Sequence, residues 1–353
     1  MGSDIQEDIL ARVRDAVTRR STLQIVGNRT KDFLGRTAHG DPLEITGHQG
    51  IVNYQPMELV LTARAGTLLA DIETVLSEAG QMLAFEPPQF GDAATLGGTI
   101  ACGLSGPRRA YSGAARDFVL GCKIINGRGE LLHFGGEVMK NVAGYDISRL
   151  MTGSLGTLGV ILEVSLKVLP KPAREITLVQ KRTSEDAVHV MNTWSGKPLP
   201  LSATCYDGDN LYIRLSGASS AVAAAQNHLG GDLLEDSGAF WKKLREQQHG
   251  FFAGDRPLWR LSVPPASPPL NLDGKVLIEW GGALRWLRSN ATAESVRLAA
   301  RQAGGNAILF RGGDRASEVY PRLPEPLMKL QQNLKNAFDP DGIFNPGRMY
   351  PEL

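Results

Sequence analysis

Apolar residues at Ile5, Ile9, Val13 and Val17 recur every fourth position, a spacing that predicts an amphipathic helix at the start of the chain. The apolar run Leu23-Gln24-Ile25-Val26 reads as a short strand entering a polar turn, Gly27 to Lys31. A second strand is expected over 59–64. It leads to a helix with Thr67 as cap, an apolar face of Leu68, Leu69, Ile72, Val75, Leu76 and Ala79, and Gly80 as the stop. Periodicity then lapses through EPPQFGDAATLGGTIACGLSGPRRAYSG, a length that points to a functional loop. Alternation returns in RDFVLGCKIING and ELLHFGG, two strands about the turn Gly127-Arg128-Gly129. It lapses again in KNVAGYDISRLMTGSLGTLG and resumes in the strand VILEVSLKVLP.

Beyond Pro170 and Pro172 the pattern changes. The segments EITLVQKR, SEDAVHVMNTW, LSATCY, NLYIRLSG and ASSAVAAAQNHL give the order β-α-β-β-α, expected of an antiparallel sheet with helices on one face, as in ferredoxin-like modules. LWRLSV and the hairpin KVLIEW-GGALRWL follow, then a helix over 293–303, a strand over 307–310 and a last helix over 326–338. The expected fold class is α+β, divided at 1–172, 173–320 and 321–353. The last piece is a helix and tail returning to the first domain.

At 353 residues the chain exceeds what one core usually serves, which favours two domains. Lys plus Arg (38) nearly balance Asp plus Glu (37), and no basic stripe suggests nucleic acid as a partner. No apolar run is long enough to insert directly in a membrane, so a cytoplasmic protein is expected. Cys102, Cys122 and Cys205 are scattered singly, and the six histidines show no metal-ligand spacing, so no metal site is expected. The unusual feature is glycine, 40 residues with the excess between Gly91 and Gly159. Such density lets a backbone approach a large cofactor closely. GxGxxG, GxxxxGK[ST] and GxSxG are all missing, which excludes the standard dinucleotide, P-loop and nucleophile-elbow solutions. Main-chain N–H groups from several glycine-rich loops, gathered around a pyrophosphate, remain.

The runs TLGGTIACGLSG, YSGAARDFVLGCKIINGRGELL and GSLGTLGVILEVSLKVLPKP resemble the vanillyl-alcohol-oxidase or PCMH-type FAD-binding family. FDPDGIFNPGR resembles the C-terminal signature of its hydroxyacid dehydrogenase branch. GPRRAYSGAARDFVLG and KNVAGYDISRLMTGSLGTLGV resemble the FAD-binding subunits of bacterial glycolate oxidases. The resemblance spans essentially the whole chain. It implies a two-lobed PCMH-type FAD-binding domain over 1–172 and a ferredoxin-like α+β cap over 173–320.

By the same resemblance, Gly27, Asn28, Arg29, Thr30 and Lys31 form the first pyrophosphate loop, although alone they could be an ordinary strand-to-helix turn. Thr95, Leu96, Gly97 and Gly98 match the family's T-I-G-G element, with a simple bulge as the alternative. Gly103 and Gly106 belong to the glycine loop that follows, and Asp117 to an R-D-x-V-L element whose Arg116–Asp117 pair orders the loop. Gly156, Gly159 and Val160 match G-T-L-G-V on the adenosine side, or pack a loop into the next strand. Arg108 and Arg109 could clamp a substrate carboxylate or stabilise reduced flavin, or be solvent or interface residues. Lys140 and Tyr145 share that ambiguity, and Tyr145 could be a core aromatic.

Departures from the family pattern carry information. Asn28, rather than a histidine, follows Gly27, so non-covalent FAD is expected. Gly103-Leu104-Ser105-Gly106 replaces N-A-G-G. Arg311-Gly312-Gly313-Asp314 stands where G-D-G-N-x-H would supply ligands, and the last histidine of the chain is His249. The usual base and metal ligands are therefore missing, and the catalytic residues are unknown. The resemblance implies the FAD-binding subunit of a complex that oxidises glycolate and D-lactate. Its partners would be a larger FAD-linked catalytic subunit and an iron–sulfur subunit delivering electrons to quinone. Localisation would be cytoplasmic or peripheral at the inner membrane face through those partners. A self-sufficient FAD-linked 2-hydroxyacid dehydrogenase and a flavin-free scaffold are the alternatives.

Overall fold

The structure, a computed structural model, describes residues 2–136, 146–316 and 318–353. The first helix, Gln6–Arg19, buries Ile9, Leu10, Val13 and Ala16, the face that its periodicity marks out. Strand Leu23–Val26 pairs in parallel with Asp41–Glu44. The C-terminal tail joins the same strand. Leu23 N–H donates to Ile343 O at 2.7 Å, and Asn345 N–H donates to Leu23 O at 3.0 Å.

Beside this pair stands a five-stranded sheet in the order Ile51–Gln55, Val60–Arg64, Val160–Lys167, Val119–Ile125 and Leu131–Gly135. All its pairings are antiparallel. Leu61, Ile124, Leu162 and Leu166 are fully buried on it, against Leu69, Ile72 and Leu76 of helix Leu69–Glu78. Thr67 does not cap that helix, which starts after Leu68. Its hydroxyl instead accepts Gly50 N–H at 2.8 Å and donates to Gly50 O at 3.2 Å, pinning the loop before the sheet. The aperiodic stretch hides a short helix, Leu96–Cys102. Thr95 caps it by accepting Gly98 N–H at 3.3 Å, and Gly103 ends it at φ +62°. Seven residues with two glycines are too few to show a period.

The second sheet has eight strands, in the order Asp232–Leu233, Arg174–Lys181, Asn210–Gly217, Leu201–Tyr206, Lys275–Glu279, Leu284–Arg288, Leu258–Ser262 and Asn306–Arg311. Every pairing is antiparallel. Successive side chains of a strand serve opposite faces. Ile278 packs with Met191 and Val222 of helices Ser184–Ser195 and Ser219–Leu229. Its neighbour Leu277 packs with Trp241, Trp286 and Phe310 in a cluster that also takes Leu34 and Leu155 from the first half of the chain. The class is α+β, as the sequence implied. Helix Glu325–Phe338 leads back to the first half, where Lys335 Nζ donates to Asp339, Thr157 O and Phe344 O at 2.7–2.9 Å.

Candidate functional site: a cleft lined by main-chain N–H groups

A cleft of about 850 Å3, its open mouth included, runs between the turn after the first strand and the start of helix Leu96–Cys102. Gly27, Asn28, Arg29, Thr30 and Lys31 all line it. Arg29 holds a left-handed conformation, φ +58°, in the middle of the turn. None of the five N–H groups of this turn finds an acceptor among the described residues. Consecutive N–H groups around a left-handed residue form a nest that attracts anions. The turn is pinned by side chains instead: Asn28 Nδ2 donates to Ala93 O at 2.9 Å, and Lys31 Nζ donates to Gln89 O at 3.3 Å. Burial holds the Lys31 ammonium below its usual pKa, so a nearby anion would restore what desolvation costs it.

Thr95, Gly97 and Gly98 line the facing wall. The approach is close: a Cβ on Gly27 would lie 2.7 Å from Thr95 Oγ1. Leu96 N–H and Gly97 N–H are already given to Thr67 O and Ala65 O at 2.9 and 2.8 Å, so this element shapes the cleft more than it offers donors. Gly156 and Gly159 close the cleft from the third loop, Gly156 at φ +71°. Ile25, Ile45, Ala65, Leu155 and Ile161 supply apolar wall. Cys102 lines it too, and burial pushes its thiol up to about 11, so it is protonated at neutral pH.

Two residues of the C-terminal tail complete the cleft, and sequence reasoning did not single them out. Asn345 Oδ1 accepts Ile25 N–H at 2.9 Å, and its Nδ2 donates to Leu155 O at 2.7 Å, tying the first strand to the third loop. Arg348 lines the cleft and donates to Arg36 O and Asp32 O at 2.8 and 3.1 Å. The signal was the Asn-Pro-Gly-Arg end of FDPDGIFNPGR, which carries both.

The remaining candidates lie elsewhere. Leu96 and Val160 are fully buried in the hydrophobic core. Gly103 packs on Gly153, and Gly106 packs on Glu86 while its carbonyl accepts Trp280 Nε1–H at 3.0 Å. Asp117 is exposed and caps a short helix, Ala115–Phe118, by accepting Ala114 N–H at 2.8 Å. Arg108 is spent on ion pairs with Glu86 and Glu175. Arg109 stacks over the Trp280 ring at 4.4 Å. Tyr145 and Lys140 lie outside the described residues.

The chemistry of this lining is the kind that a dinucleotide with a diphosphate centre and flat apolar ends requires. The turn 27–31 offers N–H groups without acceptors among the described residues, Lys31 and Arg348 supply cations, and Ile25, Ile45 and Ile161 supply aliphatic wall. Residues 4–135 match the family described as an FAD binding domain. Over 350 residues the chain is 50% identical to glycolate oxidase subunit GlcE of Escherichia coli (strain K12), covering 99% of each chain. The chain belongs to the GlcE family of FAD-binding proteins.

FAD is accordingly its cofactor, and the α+β fold is that of the PCMH-type family. Glycolate oxidase subunit GlcD of Bacillus subtilis (strain 168) is 29% identical over 205 residues, covering 56% of this chain and 42% of that one. A solved structure of alkyldihydroxyacetonephosphate synthase superposes with TM-score 0.67, covering 97% of this chain and 74% of that one. At 14% identity it shows a shared fold alone.

Proposed function

We propose that this chain holds FAD non-covalently in the cleft and serves as the FAD-bearing subunit of a complex that oxidises glycolate and D-lactate. The carrying observation is the turn Gly27–Lys31, whose N–H groups find no acceptor among the described residues and which lines the cleft together with Arg348. When bound, FAD would supply a redox carrier able to take up electrons and pass them on. The nest would take its diphosphate, Gly156 and Gly159 would border one end, and Ile25, Ile45 and Ile161 would keep water from the rings.

Oxidising a 2-hydroxy acid requires a base for the hydroxyl proton and a cation for the carboxylate. The cleft holds no histidine, and Lys31 and Arg348 are engaged with main-chain carbonyls. This supports a division of labour. A larger FAD-linked subunit, like the relative named GlcD, hosts the substrate chemistry, and an iron–sulfur subunit passes electrons to an acceptor such as quinone. Relatives named as glycolate oxidase subunits and as a D-lactate dehydrogenase support the substrate class. No helix among the described residues is long and apolar enough to cross a bilayer, and the proposal places any membrane association with the partners.

The test is the visible absorption spectrum of the purified chain, before and after anaerobic glycolate. The expected spectrum is that of oxidised flavin, unchanged by glycolate until the larger subunit is added. Bleaching by glycolate alone would put the active site in this chain, and a colourless preparation would overturn FAD binding.

A further inference from the structure

The segment Glu86-Pro87-Pro88-Gln89-Phe90 lies against the second half of the chain as a stiff strut. Two prolines fix φ at its centre. Glu86 and Phe90, at its ends, hold left-handed conformations, φ +46° and +55°, which cost energy for any residue with a Cβ. Such conformations persist only where surrounding contacts hold them. At both ends the second half supplies such a contact. Arg214 Nη2 donates to the Glu86 carboxylate at 2.9 Å, and Glu246 holds the other end.

Glu246 follows helix Ser237–Arg245, and its side chain is buried. One carboxylate oxygen accepts Gln89 N–H at 3.0 Å and Phe90 N–H at 2.7 Å, and the other accepts Arg245 Nε–H at 2.8 Å. Arg245 also pairs with Glu73 at 3.4 Å, and Glu73 accepts Gln89 Nε2–H at 2.8 Å, which closes a ring through Gln89. The Gln89 main-chain N–H and side chain are thus fixed, and its carbonyl accepts Lys31 Nζ at 3.3 Å. Lys31 is buried and lines the cofactor cleft, whereas Glu246 does not. Burial lowers the Lys31 pKa, and Cys102 and Glu246 oppose it. Since the Cys102 thiol is protonated at neutral pH, the Glu246 carboxylate is left to support the ammonium.

On the reading that FAD fills the cleft, on which this inference rests, we propose that Glu246 is a positioning residue for the cofactor. Through Gln89 it sets where the Lys31 ammonium stands, so the second half of the chain governs how tightly the first holds the flavin's diphosphate.

The test is a double-mutant cycle on FAD affinity, measured by fluorescence titration of the flavin-stripped full chain. Glu246→Gln keeps the volume, loses the charge and weakens FAD about tenfold or more, the worth of a charged hydrogen bond. Lys31→Met also weakens FAD. Adding Glu246→Gln to Lys31→Met weakens it no further, because the route from Glu246 to the cofactor runs through Lys31. Glu246→Asp keeps the charge one methylene short of Gln89 and gives an intermediate affinity. It completes the same cycle if Glu246→Gln does not fold. Undiminished FAD affinity in a folded Glu246→Gln, or additive losses in the double variant, would overturn the proposal and leave Glu246 an ordinary brace between the halves. A wild-type chain that takes up no FAD would overturn the flavin reading itself, and this proposal with it.

Discussion

Glu86 accepts a hydrogen bond from Arg214 Nη2 at 2.9 Å, across 128 residues of sequence and from one half of the molecule to the other. The same carboxylate accepts the main-chain N–H of Arg108 at 2.9 Å and its Nε–H at 3.3 Å, while Arg108 Nη2 reaches Glu175 at 2.6 Å. Two acids and two arginines thus form a closed, largely buried bolt between the glycine-loop region and the eight-stranded sheet. Arg108, a candidate for clamping substrate, is consumed in it.

Removing one member of such a network strands the others. Glu86→Gln is expected to lower unfolding free energy by about 3–5 kcal/mol at neutral pH, read from urea denaturation. Burial opposes ionisation of Glu86, but Arg214 and Arg108 outweigh it and hold its carboxyl below the usual range. A depressed native pKa gives stability that is present above the unfolded value and lost as pH falls through the native one. The wild-type chain should therefore lose stability on acidification below about pH 4.5 more steeply than Glu86→Gln.

Gly27→Val tests the cleft. The new Cβ would meet Thr95 Oγ1 at 2.7 Å, so the nest must shift away from helix Leu96–Cys102. FAD affinity should fall by about tenfold or more while the melting of the flavin-free chain changes little, because the loop is at the surface of the core. Fluorescence titration of the stripped protein with FAD measures it.

Lys335 donates to Asp339, to Thr157 O and to Phe344 O, all of them buried. Lys335→Met leaves Asp339 short of its cation and two carbonyls without donors. A loss of about 3 kcal/mol is expected from chemical denaturation. Because Phe344 precedes Asn345, which ties the two cleft walls together, weaker FAD retention should accompany it, measurable as flavin lost on gel filtration.

Burial raises the Glu279 carboxyl to about 7, against the hydrogen bond from Trp286. A raised native pKa means stability that is complete below the unfolded value, declines as pH climbs to about 7, and is flat above. The decline should total up to about 3 kcal/mol between pH 4.5 and 8. Glu279→Gln keeps an acceptor for Trp286 and should show no such slope. Urea midpoints of both proteins across that pH range decide it.

Local pattern made the scaffold readable. Ile9 and Val13 fall on the buried face of their helix, and Leu277 and Ile278 part to opposite faces as strand alternation requires. The turn Gly27–Lys31 was legible because a short apolar strand ran straight into it. Motif membership was a poorer guide to direction: Leu96 and Val160 sit in the matching elements but face the core. What sequence concealed was contact over distance. Arg108 meets Glu175 67 residues away, Asn345 reaches Ile25 across 320, and Glu246 holds Gln89 and Phe90 without any local spacing to announce it.

The stitch between Ile25 and Asn345 also sets an order of events in the cell. The strand and turn that begin the cleft leave the ribosome early, but the wall cannot be closed until the chain has been made through Arg348. At ordinary rates of chain synthesis that interval is on the order of tens of seconds. If FAD is held in this cleft, a chain truncated before the last helix lacks one of its walls and should not retain the flavin on gel filtration.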